Sequence, residues 1–168
     1  ARHSIKFEEM VAYKLAEESV KNDSAKTSSP CLKVDNSDLQ TFKKKFPYQL
    51  TAAQDRTIAE ILADIKNSDT MIRLLQGDVG AGKTIVATMA LYACVMSGYQ
   101  AAIMAPTEIL AEQHFAFLSD FFAGSDIEIV PLLGKLTAKQ TRTSLEKIST
   151  LKNCIVVGTH AIFQERVE

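Results

Sequence analysis

Apolar positions along the chain follow two rhythms. Four short apolar runs, at 71–76, 100–105, 127–133 and 154–157, are closed by turn residues and predict buried strands. Between them, apolar residues recur at helical spacing. Ile58, Ile61, Leu62 and Ile65 stand at i, i+3, i+4 and i+7 behind a Thr51-x-x-Gln54 capping box. Ile85 to Ser97 is rich in Ala, Met, Val and Leu and stops at Gly98. Leu110, His114, Phe117, Leu118 and Phe121 share one face of a helix that Thr107 can cap. A second box, Thr137-x-x-Gln140, opens a helix that buries Leu145 and Ile148. Residues 1–21 carry Phe7, Met10, Val11, Lys14, Leu15 and Glu18 at helical spacing, widened by Ala12 and Ala16. They predict an amphipathic helix whose stripe needs a covering surface, in the rest of the chain or outside it. Residues 22–45 change character. Asn22 to Pro30 is a polar cluster, and the stretch reads as a linker of disorder-prone composition. The expected organisation is therefore a helix at 1–21, a linker at 22–45 and one domain over 46–168.

Strands alternating with helices predict an α/β fold, a parallel sheet layered between helices. Ligands in such sheets sit beyond the carboxyl ends of the strands. The turns at 77–84, 105–107, 134–135 and 158–160 all fall there. The first, Gly77-Asp78-Val79-Gly80-Ala81-Gly82-Lys83-Thr84, has the Gly-x-x-x-x-Gly-Lys-Thr form of a phosphate-binding P-loop. Its glycines let successive amides turn inward at an anion, and the helix that follows adds unpaired N–H groups and the positive end of its dipole. Lys83 supplies a point charge for the outer phosphates, and the Thr84 hydroxyl a ligand for magnesium. Gln54 has two compatible roles, a reciprocal cap on Thr51 or an amide that reads the edge of adenine. The Lys43-Lys44-Lys45 run reads as a solvated face or as a phosphate contact. His114 reads as a packed or surface histidine rather than a ligand.

Bulk properties narrow the picture. With 46% of 168 residues hydrophobic, a real core is expected, and a net charge of −1 gives no global attraction to nucleic acid. Any such contact must come from local patches and backbone amides. Cys31, Cys94 and Cys154 are odd in number and lack metal-site spacing, and they predict reduced, mostly buried thiols of a cytoplasmic protein. No apolar run reaches membrane-spanning length and no signal-peptide core opens the chain, so no membrane partner is expected.

Together the blocks resemble the first motor domain of a second-superfamily helicase, and in detail the RecG family of ATP-dependent DNA helicases. The residues that carry the likeness are Leu74 to Thr84, then Met104-Ala105-Pro106-Thr107-Glu108-Ile109-Leu110-Ala111-Glu112-Gln113-His114, then Val156-Val157-Gly158-Thr159-His160-Ala161-Ile162-Phe163-Gln164. Leu50-Thr51-Ala52-Ala53-Gln54 also fits the family's adenine-reading motif. The likeness covers nearly all of residues 46–168, and residues 1–21 look like the helix that joins the family's wedge domain to its motor. It implies a RecA-like fold, ATP and Mg2+ as cofactors, and branched DNA as partner, in repair and recombination. It implies ATP contacts at Gln54 and Gly77 to Thr84. It also implies DNA-backbone contacts at Pro106, Thr107, Glu108, Gly134, Lys135, Gly158, Thr159 and His160. Thr hydroxyls, glycine amides and helix N-termini suit that task, because they hold phosphates without reading sequence. The motor of a transcription-repair coupling factor is the nearest rival; another P-loop NTPase class or a docking module built on residues 1–21 explains less.

The family's Asp-Glu pair, which holds magnesium and activates water, is expected beyond Glu168. Asp126 and Glu128 lie at the wrong end of a strand to replace it. The resemblance therefore implies an incomplete sheet, with the wedge and the second motor domain also elsewhere. Two expectations follow: negligible ATP turnover by this chain alone, and an exposed sheet edge that favours self-association, fraying near the C-terminus or a distorted P-loop.

Overall fold

The computed structural model describes residues 29–67 and 70–160. The helix expected over residues 1–21 and the end of the last block of the resemblance, Ala161 to Gln164, lie outside the described residues. Within them the order is α1 (Asn36–Lys43), α2 (Ala52–Asp64), α3 (Lys83–Met96), β1 (Ala101–Met104), α4 (Glu108–Phe121), β2 (Glu128–Leu132), α5 (Ala138–Thr150) and β3 (Cys154–Gly158).

The strands form a parallel sheet in the order β1-β3-β2. The last strand in sequence lies in the middle, and it is buried at every position. Its side chains divide by face, as strand geometry requires. Ile155 and Val157 join the large core with Met89 and Val86 of α3 and Leu118 of α4. Cys154 and Val156 join Val130 and Leu132 of β2 under Leu145 and Ile148 of α5. Helices α3 and α4 thus cover one face and α5 the other, a three-layer α/β arrangement. Helix α2 packs on the outside of α3. Both sequence-predicted boxes are made in full: Thr51 with Gln54 opens α2, and Thr137 with Gln140 opens α5. At the far end of α5, the Gln100 side-chain amide donates to the carbonyls of Ile148 and Leu151, which clasps the end of that helix to the start of β1.

The structure corrects three expectations. The first concerns Met71 to Gln76, read from sequence as a buried strand. Among the described residues these form no ladder, and Met71 and Leu74 are exposed. An apolar run becomes a strand only where a neighbour takes its backbone groups, and β1 is paired to β3 alone. Arg73 instead ties the segment to α2, reaching Glu60 at 2.8 Å and Asp64 at 2.6 Å. The carboxylate of Asp64, above all, raises the Arg73 pKa.

The second concerns the linker at 22–45, whose latter part contains α1. Asp35 caps it by accepting from the Ser37 amide, and Leu39 and Phe42 are buried beneath it. Phe42 lies in an aromatic cluster, stacked on Tyr92 with centroids 3.6 Å apart and edge-on to Phe46 and Phe121. Two large apolar side chains on two turns are enough when the receiving surface is aromatic.

The third concerns the cysteines. Cys154 is buried and Cys94 half-buried, but Cys31 is exposed. Burial raises the pKa of both Cys94 and Cys154.

Replacing Phe42 tests α1 as part of the core. Phe42→Ala is expected to cost about 3–5 kcal/mol in urea denaturation, the usual range for a buried aromatic; a cost below about 1 kcal/mol, typical of a surface change, would show that α1 is not integral.

Candidate functional site

The P-loop is shaped by its glycines. Gly80 (φ 82°) and Gly82 (φ 74°) adopt the left-handed backbone that L side chains rarely take, and Gly82 also caps α3. Gly82 has a second reason to lack a side chain, because a Cβ there would run into the amide nitrogen of Gln54 and press on Ile85. A Cβ on Gly80 would meet nothing. Lys83 folds back over the loop and donates to the carbonyls of Gly77 at 2.7 Å and Asp78 at 2.8 Å. An arriving anion would draw the ammonium off these two neutral acceptors. Thr84 stands one residue later, half-buried in the first turn of α3.

Gln54 joins this loop to the cap of α2. Its side-chain oxygen accepts from the Thr51 amide at 2.8 Å, and its nitrogen donates to the Ala81 carbonyl at 3.1 Å. The cap is therefore real, and one N–H and one oxygen lone pair remain for a ligand. A cleft of about 560 Å³ opens at Asp55, the chain neighbour of Gln54, bounded also by Lys43, Phe46, Tyr48, Gln49 and Leu50, and Gln54 itself does not line it. Tyr48 is exposed there. In the basic run Lys43 pairs with Asp55 at 2.6 Å, while Lys44 and Lys45 are exposed, as a solvated face requires. Sequence reasoning missed Tyr48, Gln49 and Asp55 as lining residues. The only available signal was the aromatic Phe46-Pro47-Tyr48 run just before the box.

The remaining site residues gather at the carboxyl ends of the strands. Met104, Gly158 and Leu132 are aligned across the sheet, so the three strands end level. Ala105 donates its amide to the Gly158 carbonyl at 2.9 Å, which carries the β1–β3 ladder into the Pro106-Thr107 turn. Thr107 caps α4, its hydroxyl accepting from the Leu110 amide at 3.4 Å. Leu133 and Leu136 seat the Gly134-Lys135 turn on Ala105 and Ala111. Glu108 reaches over Gly134, where a Cβ would collide with its carboxylate, and Lys135 pairs with Glu112 at 2.5 Å. Thr159 is buried and His160 exposed just past β3. Among the described residues these contacts tie two groups: the P-loop with Gln54, and the three rim turns with one another.

The family model for the DEAD/DEAH box helicases matches residues 51–167. The chain belongs to that family. The chain is similar over its whole length to proteins named ATP-dependent DNA helicase RecG. It is 41% identical over 169 residues to the one from Streptococcus pneumoniae, covering 25% of that protein. It is 42% identical over 168 residues to the one from Haemophilus influenzae, covering 24% of it. A solved structure of RecG bound to a three-way DNA junction superposes with a TM-score of 0.83 at 34% identity, over 98% of this chain and 23% of that one. The chain spans about a quarter of the length of the relatives it matches.

The two left-handed glycines of the P-loop, Gly80 and Gly82, make a paired test of its geometry. Gly80→Ala is expected to cost about 1–2 kcal/mol through backbone strain alone. Gly82→Ala should cost more, because its Cβ also displaces Gln54, and adding Gln54→Ala should close the gap. Equal urea midpoints for the two single variants would show that Gln54 does not press on Gly82.

Proposed function

We propose that the chain is the nucleotide-gripping part of an ATP-dependent DNA helicase that remodels branched DNA in repair and recombination, acting in the cytoplasm. The observation that carries this reading is the join between Gln54 and the P-loop. One side chain touches the cap of α2, the Ala81 carbonyl and the space over Gly82 at once. A ligand that reaches both Gln54 and Lys83 must carry a hydrogen-bonding base at one end and an anion at the other, as ATP does. In this reading the base lies in the cleft beside Gln54, between Tyr48 and Asp55. The phosphates take the amides of the P-loop and the ammonium of Lys83.

Magnesium, when bound with the nucleotide, neutralises charge that develops on the phosphates. Thr84 would supply the protein ligand.

The rim turns would hold the DNA backbone. Thr107 offers a hydroxyl, Gly134 open backbone and Lys135 a charge, while Gly158 and Thr159, buried at the end of β3, would act by holding these turns in place. Glu108 contributes through its place in the first turn of α4, since its carboxylate repels phosphate. Contacts of this kind position DNA without reading sequence, which suits a motor that moves along it.

Titration with a fluorescent ATP analogue tests the nucleotide half. Binding should weaken about 10- to 100-fold in Lys83→Ala, the loss expected for hydrogen bonds to a charged group, and ATP should displace the probe better than GTP. Equal binding by the variant would remove the proposal. Anisotropy with labelled DNA tests the other half: Thr107→Ala should weaken binding to all sequences alike.

A further inference from the structure

The rim turns hold their own anions. Across 105–108, 133–136 and 158–160, Lys135 is the only lysine or arginine, and its ammonium already faces Glu112. The placement is built in. Leu133 and Leu136 fix the turn against Ala105 and Ala111, and the Leu136 amide donates to the Leu133 carbonyl at 3.2 Å. The turn therefore rests on the start of α4, where Glu108 and Glu112, four residues apart, share a face. One carboxylate pairs with Lys135 and the other lies over Gly134.

We propose that Glu112, with Glu108 beside it, is an internal competitor for the DNA backbone: it holds Lys135 in place between encounters and gives it up to a phosphate. This rests on the reading of the rim as a DNA-backbone site. The pair is 55% and 39% exposed, so it is weak and exchanges readily. A backbone phosphodiester offers Lys135 the same single charge on two anionic oxygens, within a polyanion whose neighbouring phosphates add to the attraction. The exchange balances in charge. Lys135 passes from carboxylate to phosphate, the counterion shed by the nucleic acid is offset in part by the salt screening of the freed Glu112, and Lys135 adds less than a full contact to the salt dependence of binding. The device limits affinity, which a protein that must step along DNA requires.

Anisotropy of a labelled oligothymidylate with the full chain, from about 50 to about 200 mM salt, tests this. Glu112→Gln keeps the shape and removes the competing charge. It should bind about two- to five-fold tighter, the range set by exposed ion pairs. Its log-affinity against log-salt slope should steepen by up to about 0.7, one single-strand phosphate neutralised without compensation. Lys135→Gln should bind more weakly, and Glu112→Gln added to it should restore nothing. Glu112→Ala, which favours helix, carries the same expectation if the glutamine variant folds poorly. If Lys135→Gln weakens binding but neither Glu112 variant strengthens it or changes the slope, the competitor role is wrong and the rim still binds DNA. If Lys135→Gln and Thr107→Ala both leave binding unchanged, the rim reading fails and this inference fails with it.

Discussion

Strand β3 must satisfy its backbone on both sides, and that constraint organises the molecule. The strand is buried at every position, so its amides and carbonyls find no water and have to meet β1 on one edge and β2 on the other. The register that results leaves the three strands ending level. From there the rim follows. Ala105 extends the ladder by one further bond, the chain turns through Pro106-Thr107 into α4, and α4 receives the Gly134-Lys135 turn. No residue of the rim is placed by its own local preference alone; each is carried there by a strand end or by a leucine anchored next to one.

The P-loop is organised differently. The segment before it has no ladder among the described residues and is held instead by Leu75 on the core and Arg73 on α2, while α3 packed on the sheet and Gln54 from α2 hold the loop from its other side. A capping glutamine has thereby become a structural member of the anion loop. The geometry of Gly82 fits both demands, left-handed backbone and no side chain to exclude Gln54.

Much of this was legible in the sequence because it is local. A capping box fixes a helix start from four residues, and both Thr-x-x-Gln boxes are made as written. The Gly-Lys-Thr loop needs φ above zero at defined positions, and the glycines declare them. What was not legible depends on partners far along the chain. The run at 71–76 carries Met71, Ile72, Leu74 and Leu75 and reads locally as a strand, yet only pairing distinguishes a strand from a connector. Helix α1 has just two buried apolar residues, and their value lies in Tyr92 and Phe121, which no local window contains. Lys43 and Lys135 both look like free cations in the sequence. Asp55 and Glu112 were visible too, but nothing local says that they meet.

The order β1-β3-β2 bears on how the chain folds as it is made. Strands β1 and β2 leave the ribosome first, yet they do not pair with each other; each waits for β3. Until residues 154–158 have been synthesised, this sheet cannot begin to form, and the apolar faces of α3 and α4 have no sheet to cover. During that interval the nascent chain presents two unpaired strands. The helices, which need no distant partner to close their hydrogen bonds, are the elements able to form during it.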